Sequence, residues 1–108
     1  MNAISGMFGR VAEQLLAGDE GLERGRMFGS VGLKSGGKVF AMVVKGELVV
    51  KLPAERVSEL LASGEGRAFD PGHGRLMKEW VALRPPDESS CEAYVREART
   101  FLAAQTRR

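Results

Sequence analysis

Two scarcities bound the chemistry of this 108-residue chain: it has one cysteine, Cys91, and one histidine, His73. A lone thiol cannot close an internal disulfide, and no set of ligands with metal-binding spacing surrounds either residue. Cys91 and His73 also form no recognisable catalytic pair. The start, MNAISGMFGR, lacks a basic segment followed by an apolar one, so it does not read as a signal peptide. No apolar run approaches membrane-spanning length. The cytoplasm is the expected compartment, with no membrane role and no cofactor. Excess charge of one sign is missing too. Sixteen Lys/Arg face fourteen Asp/Glu, for a formal net charge of +2. Duplex binding draws its affinity from neutralising several phosphates, and no basic stripe is dense enough for that. Tight nucleic-acid binding is not expected.

The composition is that of an ordinary globular domain, 44% hydrophobic and 28% charged. One domain over residues 1–108 is expected. Phe8, Val11, Ala12, Leu15 and Leu16 recur on one helical face, with Ser5 as a cap before them. The polar, Gly-rich stretch 18–25 reads as a loop. Three strands follow, at about 26–33, 38–44 and 47–52, separated by Ser35-Gly36-Gly37 and by Lys45-Gly46, as in hairpins. In the middle strand, Val39, Ala41 and Val43 alternate with Phe40, Met42 and Val44. Both faces are apolar, so cover on both sides, or from a partner chain on one side, is expected.

Pro53 opens a helix whose apolar side is Val57, Leu60 and Leu61, and Gly64 ends it. A short extended piece at 67–70 precedes the turn Asp70-Pro71-Gly72, and 75–83 reads as a long strand. Arg84-Pro85-Pro86 stops that strand. Ser89 and Glu92 suggest a capping box for a last helix, on which Cys91, Tyr94, Val95, Ala98, Phe101 and Leu102 form a stripe. The fold class is α+β: an antiparallel sheet, made of a three-strand meander plus one or two further strands, packed by three helices.

Some residues fit this frame less blandly. His73 and Arg75 sit among glycines in Asp70-Pro71-Gly72-His73-Gly74-Arg75, which suits either an anion site or a plain surface turn. Lys51, Lys78 and Glu79 are charges inside apolar strands. The two lysines could flank Trp80 and bind an anionic or aromatic ligand, or lay their stems along the sheet with their ammonium groups in water. Cys91 suits a buried core position better than a reactive thiol. Gly29 and Gly32, inside a strand, point to a bulge or to close approach of another backbone. Gly29 and Val31 are therefore candidate interface residues.

Several short segments occur in a characteristic order: Met27-Phe28-Gly29, Gly32-Leu33, Gly37-Lys38-Val39-Phe40-Ala41, Leu48-Val49-Val50-Lys51-Leu52, Gly66, Phe69, Gly74-Arg75, then Met77-Lys78-Glu79-Trp80-Val81 and a closing amphipathic helix. From Arg26 to about Phe101 the chain resembles the TfoX N-terminal domain (TfoX/Sxy-like) family, with a fold similar to that of YjbR-like proteins. The resemblance implies an antiparallel sheet packed by helices. Larger members add a C-terminal domain and act as positive regulators of DNA-uptake genes. It supplies no catalytic residues to transfer. A stand-alone, non-catalytic module for regulation or protein interaction is the expected function, acting through a protein partner or a homodimer. A sensor of small anionic ligands and a weak nucleic-acid-binding protein are the alternatives.

Overall fold

The computed structural model describes residues 3–27, 30–69 and 78–106. Three helices and six strands follow one another as α1 (Ala3–Gly18), β1 (Leu22–Met27), β2 (Ser30–Ser35), β3 (Lys38–Val44), β4 (Glu47–Lys51), α2 (Ala54–Ser63), β5 (Gly66–Ala68), β6 (Trp80–Leu83) and α3 (Glu88–Thr106). The strands form one antiparallel sheet in the order β1-β2-β3-β4-β6-β5. The fold is thus the expected α+β class.

The details depart from expectation in instructive places. The meander has four strands, because most of β1 lies in the stretch 18–25 read as a Gly-rich loop, and the strand expected at 26–33 is divided between β1 and β2. β1 lies at the sheet's edge, where Leu22 is buried while Glu23, Arg24 and Arg26 are exposed. Its next four positions, Glu23 to Arg26, are charged or glycine, so no alternation of polarity betrays it. The two tight turns behave as expected. Gly36 and Gly37 have φ of 59° and 81°, and Lys45 and Gly46 have φ of 51° and 79°. Positive φ at both central residues matches the right-handed twist of the flanking strands. The long strand expected over 75–83 is Trp80–Leu83, with Lys78 and Glu79 in a turn; residues 75–77 fall outside the described residues.

One extra residue exchanges the expected facing of Val39 and Phe40 in β3. Leu33 pairs with Ala41 but Lys34 pairs with Val39, so Phe40 is bulged out of the ladder. Phe40 therefore joins Ala41 and Val43 on the helix side, while Val39, Met42 and Val44 take the other face. The helix-side core is built from Leu33, Phe40, Leu48, Val50, Val81 and Leu83 under the apolar stripes of α1 and α3. α1 begins at Ala3, ahead of Ser5, which lets Ile4 extend its buried stripe. α2 packs beside β5 and β6. It buries Val57 and Leu60, whereas Leu61, expected inside, is 40% exposed. α3 is capped by Asp87 rather than by Ser89: the Asp87 carboxylate accepts from the Ser90 N–H at 2.8 Å and its carbonyl from Cys91 N–H at 3.1 Å.

The opposite face holds a second cluster of Met42, Val49, Phe69, Trp80 and Ala82. Trp80 is only 4% exposed, and its ring lies 6.5 Å from that of Phe69 at 52°, a tilted aromatic pair. This face is buried within a single chain, so a second copy is not required to shield it. Gly32, too, has its close neighbour within the chain. A Cβ at Gly32 would run into the Ala41 carbonyl oxygen of β3 and come within 2.8 Å of Met42 Cβ.

Candidate functional site

Cross-strand register brings a charged cluster together at one end of the second face. Glu47 opens β4, Arg67 sits on β5, and Arg84 follows β6. Glu47 is 6% exposed and is the one buried charged residue among those described. An unpaired carboxylate there would pay heavily for lost hydration. Arg67 answers with a two-pronged grip: its Nε donates to Glu47 Oε2 at 3.1 Å and its Nη2 donates to Oε1. Arg84 Nε adds a longer contact of 3.4 Å to Oε2. Burial pushes the Glu47 carboxyl up, but the bonds and charges of Arg67 and Arg84 together hold it below its ordinary value. Both guanidiniums are otherwise open to solvent.

These residues line a cleft of about 690 Å³, completed by Pro85, Pro86 and Tyr94. Across it the Tyr94 hydroxyl donates to Glu65 Oε2 at 3.0 Å. A carboxylate saturated by arginine is a poor base. The outward N–H groups of the arginines remain free to meet an acidic partner.

A second, smaller cleft of about 310 Å³ opens between α2 and the β5–β6 pair, lined by Val57, Ser58, Leu61, Ala68, Lys78 and Trp80. Here the structure unites two residues singled out from the sequence, Lys78 and Trp80. Lys51 is the cross-strand partner of Trp80 in the β4–β6 ladder but does not line this cleft. Glu79 acts through its backbone, whose carbonyl accepts the Leu52 N–H at 2.9 Å. His73, Arg75 and Gly29 lie outside the described residues. Val31 is exposed at 45%. Cys91 is fully buried on α3, and burial pushes its thiol up to about 11, with Glu88 and Glu92 adding to the effect.

Lys38 and Lys45 stand at opposite ends of β3, a strand of seven residues, or roughly 20 Å, so these two lysines form no compact basic cluster. The Glu47–Arg67–Arg84 cluster, in contrast, was missed from sequence. Its one visible signal is Glu47 itself, a lone acid ahead of the apolar run Leu48-Val49-Val50.

No helix among the described residues is long and apolar enough to cross a membrane, and no group of three or more His, Cys, Asp or Glu among them could hold a metal ion. No curated protein and no solved structure matches the chain, so the likeness to YjbR-like proteins gains no support there. The family model for the TfoX N-terminal domain matches residues 14–102, from the second half of α1 to the last turns of α3. That stretch contains the whole sheet, both clefts, all of α2, most of α3 and the end of α1, and the chain belongs to the TfoX N-terminal domain family.

Proposed function

We propose that this chain is a non-catalytic regulatory module that works by binding another protein, in the sphere of transcription and competence to which its family's name attaches. The observation that carries this reading is how its reactive groups are used. The thiol of Cys91 is sealed in the core and the carboxylate of Glu47 is neutralised by two arginines, while the Arg67 and Arg84 guanidiniums face water. Such a surface is suited to recognition rather than to turnover. Transcript profiling of a host strain lacking the gene, with and without the gene restored, tests the regulatory part. A reproducible set of changed transcripts, reversed by the restored gene, supports it. DNA-uptake genes within that set would extend the reading to competence. An unchanged profile through all growth phases rejects it.

A second reading, a sensor of small anionic ligands, is favoured by the cleft that joins Lys78 to Trp80 over an apolar lining. Trp80 is the chain's one tryptophan. Benzoate that quenches its fluorescence, with the effect lost in Lys78→Ala, would support this reading. Fluorescence indifferent to benzoate counts against it.

A further inference from the structure

The sheet has an open edge at β1, which among the described residues pairs with β2 and with no other strand. The Leu22 N–H donates to the Asp19 carbonyl at 3.2 Å. Its main chain therefore faces away from β2. Antiparallel pairs alternate between bonded and non-bonded positions, so Arg24 and Arg26 likewise turn their N–H and C=O groups outward. These are the groups that an added strand would use.

The side chains along this edge are equally one-sided. Arg24 and Arg26 share a face with their partners Leu33 and Val31. Both arginines are exposed, and neither has an ion-pair partner among the described residues. The acid between them and Leu22, Glu23, points to the other face and is held by Lys34 at 3.8 Å. The edge thus offers two exposed guanidiniums, without ion-pair partners among the described residues, beside the exposed Val31.

A second copy of the chain is a poor occupant. A two-fold axis normal to the sheet opposes only residues that share a face. Centring the pairing on Glu23 sets Glu23 against itself, and centring it on Arg24 or Arg26 does the same with an arginine. Centring it on Gly25 sets Arg24 against Arg26 twice. Like charges directly opposed destabilise a strand pair, whereas opposite charges stabilise it.

We infer that the outer edge of β1 takes up an extended acidic segment of a partner protein as an added antiparallel strand, with carboxylates opposite Arg24 and Arg26. Main-chain bonds supply affinity in this mode and the alternating side chains supply selectivity. The inference rests on the protein-binding reading above, yet it fails separately: the regulatory effect is scored by transcripts, and the edge is scored by peptide binding to the purified chain.

The test is a titration of the isotope-labelled protein with two synthetic hexapeptides, threonine alternating with glutamate and threonine alternating with lysine, read by amide exchange and by NMR shifts. The acidic peptide should protect the Arg24 and Arg26 amides, and the basic one should leave them exchanging. R24E/R26E changes only exposed positions and should weaken the acidic peptide at least tenfold while admitting the basic one. Arg24→Pro removes an outward donor without touching the β2 ladder, a placement that edge strands tolerate; it should abolish protection at Arg26 with the fold intact. Equal binding of both peptides, no protection at millimolar acidic peptide, or protection of these amides by a single-stranded oligonucleotide in its place would overturn the proposal. So would a dimer in light scattering that R24E/R26E dissolves.

Discussion

Gly25 and Gly32 face each other across β1 and β2, yet the structure assigns them opposite tolerance to a methyl group. At Gly32 the obstacle is backbone: the Ala41 carbonyl of β3 occupies the space, with Met42 Cβ close behind. Neither can move without opening the β2–β3 ladder beside the Phe40 bulge. Overpacking of this kind costs about 1–3 kcal/mol, and a lost ladder bond adds roughly 0.5–1.5 kcal/mol. Stiffening the unfolded chain returns about 0.4–1 kcal/mol. Gly32→Ala should therefore lower stability by about 2–3 kcal/mol, or by roughly 10–20 °C in melting temperature for a domain near this size. At Gly25 the obstacle is the Lys34 side chain, 2.8 Å away at its Cδ and attached to a flexible stem. Gly25→Ala should stay within about 1 kcal/mol of the parent, since the stem can swing aside. Thermal and urea unfolding of both variants, followed by circular dichroism, decide the matter. Equal melts for the two variants would refute the assignment of Gly32 to a backbone contact within the chain.

Trp80→Ala should cost about 3–5 kcal/mol in urea unfolding, the range for deleting a large buried ring; an unchanged midpoint would mean that the second face is not packed as described. Glu47 binds a proton less readily folded than unfolded, so its contribution is complete above the ordinary carboxylate range and is lost as pH falls through its lowered folded value. Unfolding midpoints measured from neutral to acid pH should accordingly fall less steeply in Glu47→Gln than in the parent. The Cys91 thiol should react with a disulfide reagent about tenfold or more slowly in native than in denaturant-unfolded protein, because it is buried and its thiolate is disfavoured. Gel-shift titration at ~150 mM salt should give a dissociation constant for generic duplex DNA weaker than roughly 10 μM.

What could be read in advance follows from where each signal resides. Turns written in Gly36-Gly37 and Lys45-Gly46, the Pro53 start and Gly64 stop of α2, and the helical stripe from Cys91 to Leu102 are local, and each was legible. β1 was not, because an edge strand need not alternate. The Phe40 bulge was not, because one unpaired residue changes the facing of β3 without altering its composition. The capping of α3 was misplaced by two residues, since Asp87 and Ser89 both satisfy the preference for a short polar cap. Lys78 and Trp80 line one cleft whose other wall is α2, and nothing local in the sequence announces that wall. Glu47 meets Arg67 and Arg84 across separations of 20 and 37 residues. Only the order β4-β6-β5 brings them together, and that order is a property of the whole sheet.

That same order has a consequence for how the protein is made. Synthesis runs from the N-terminus, so the meander from β1 to β4 can assemble while the rest of the chain is still being added. Its final strand then waits with Leu48, Val49 and Val50 on an unpaired edge until Trp80–Leu83 arrives to cover it, since β6 rather than β5 is the neighbour of β4. A chain that stalls, or is cut, between α2 and β6 would present an apolar edge at the moment it is least protected. Native β1 carries charge along its edge, whereas the middle of β4 is apolar and depends on the chain being finished.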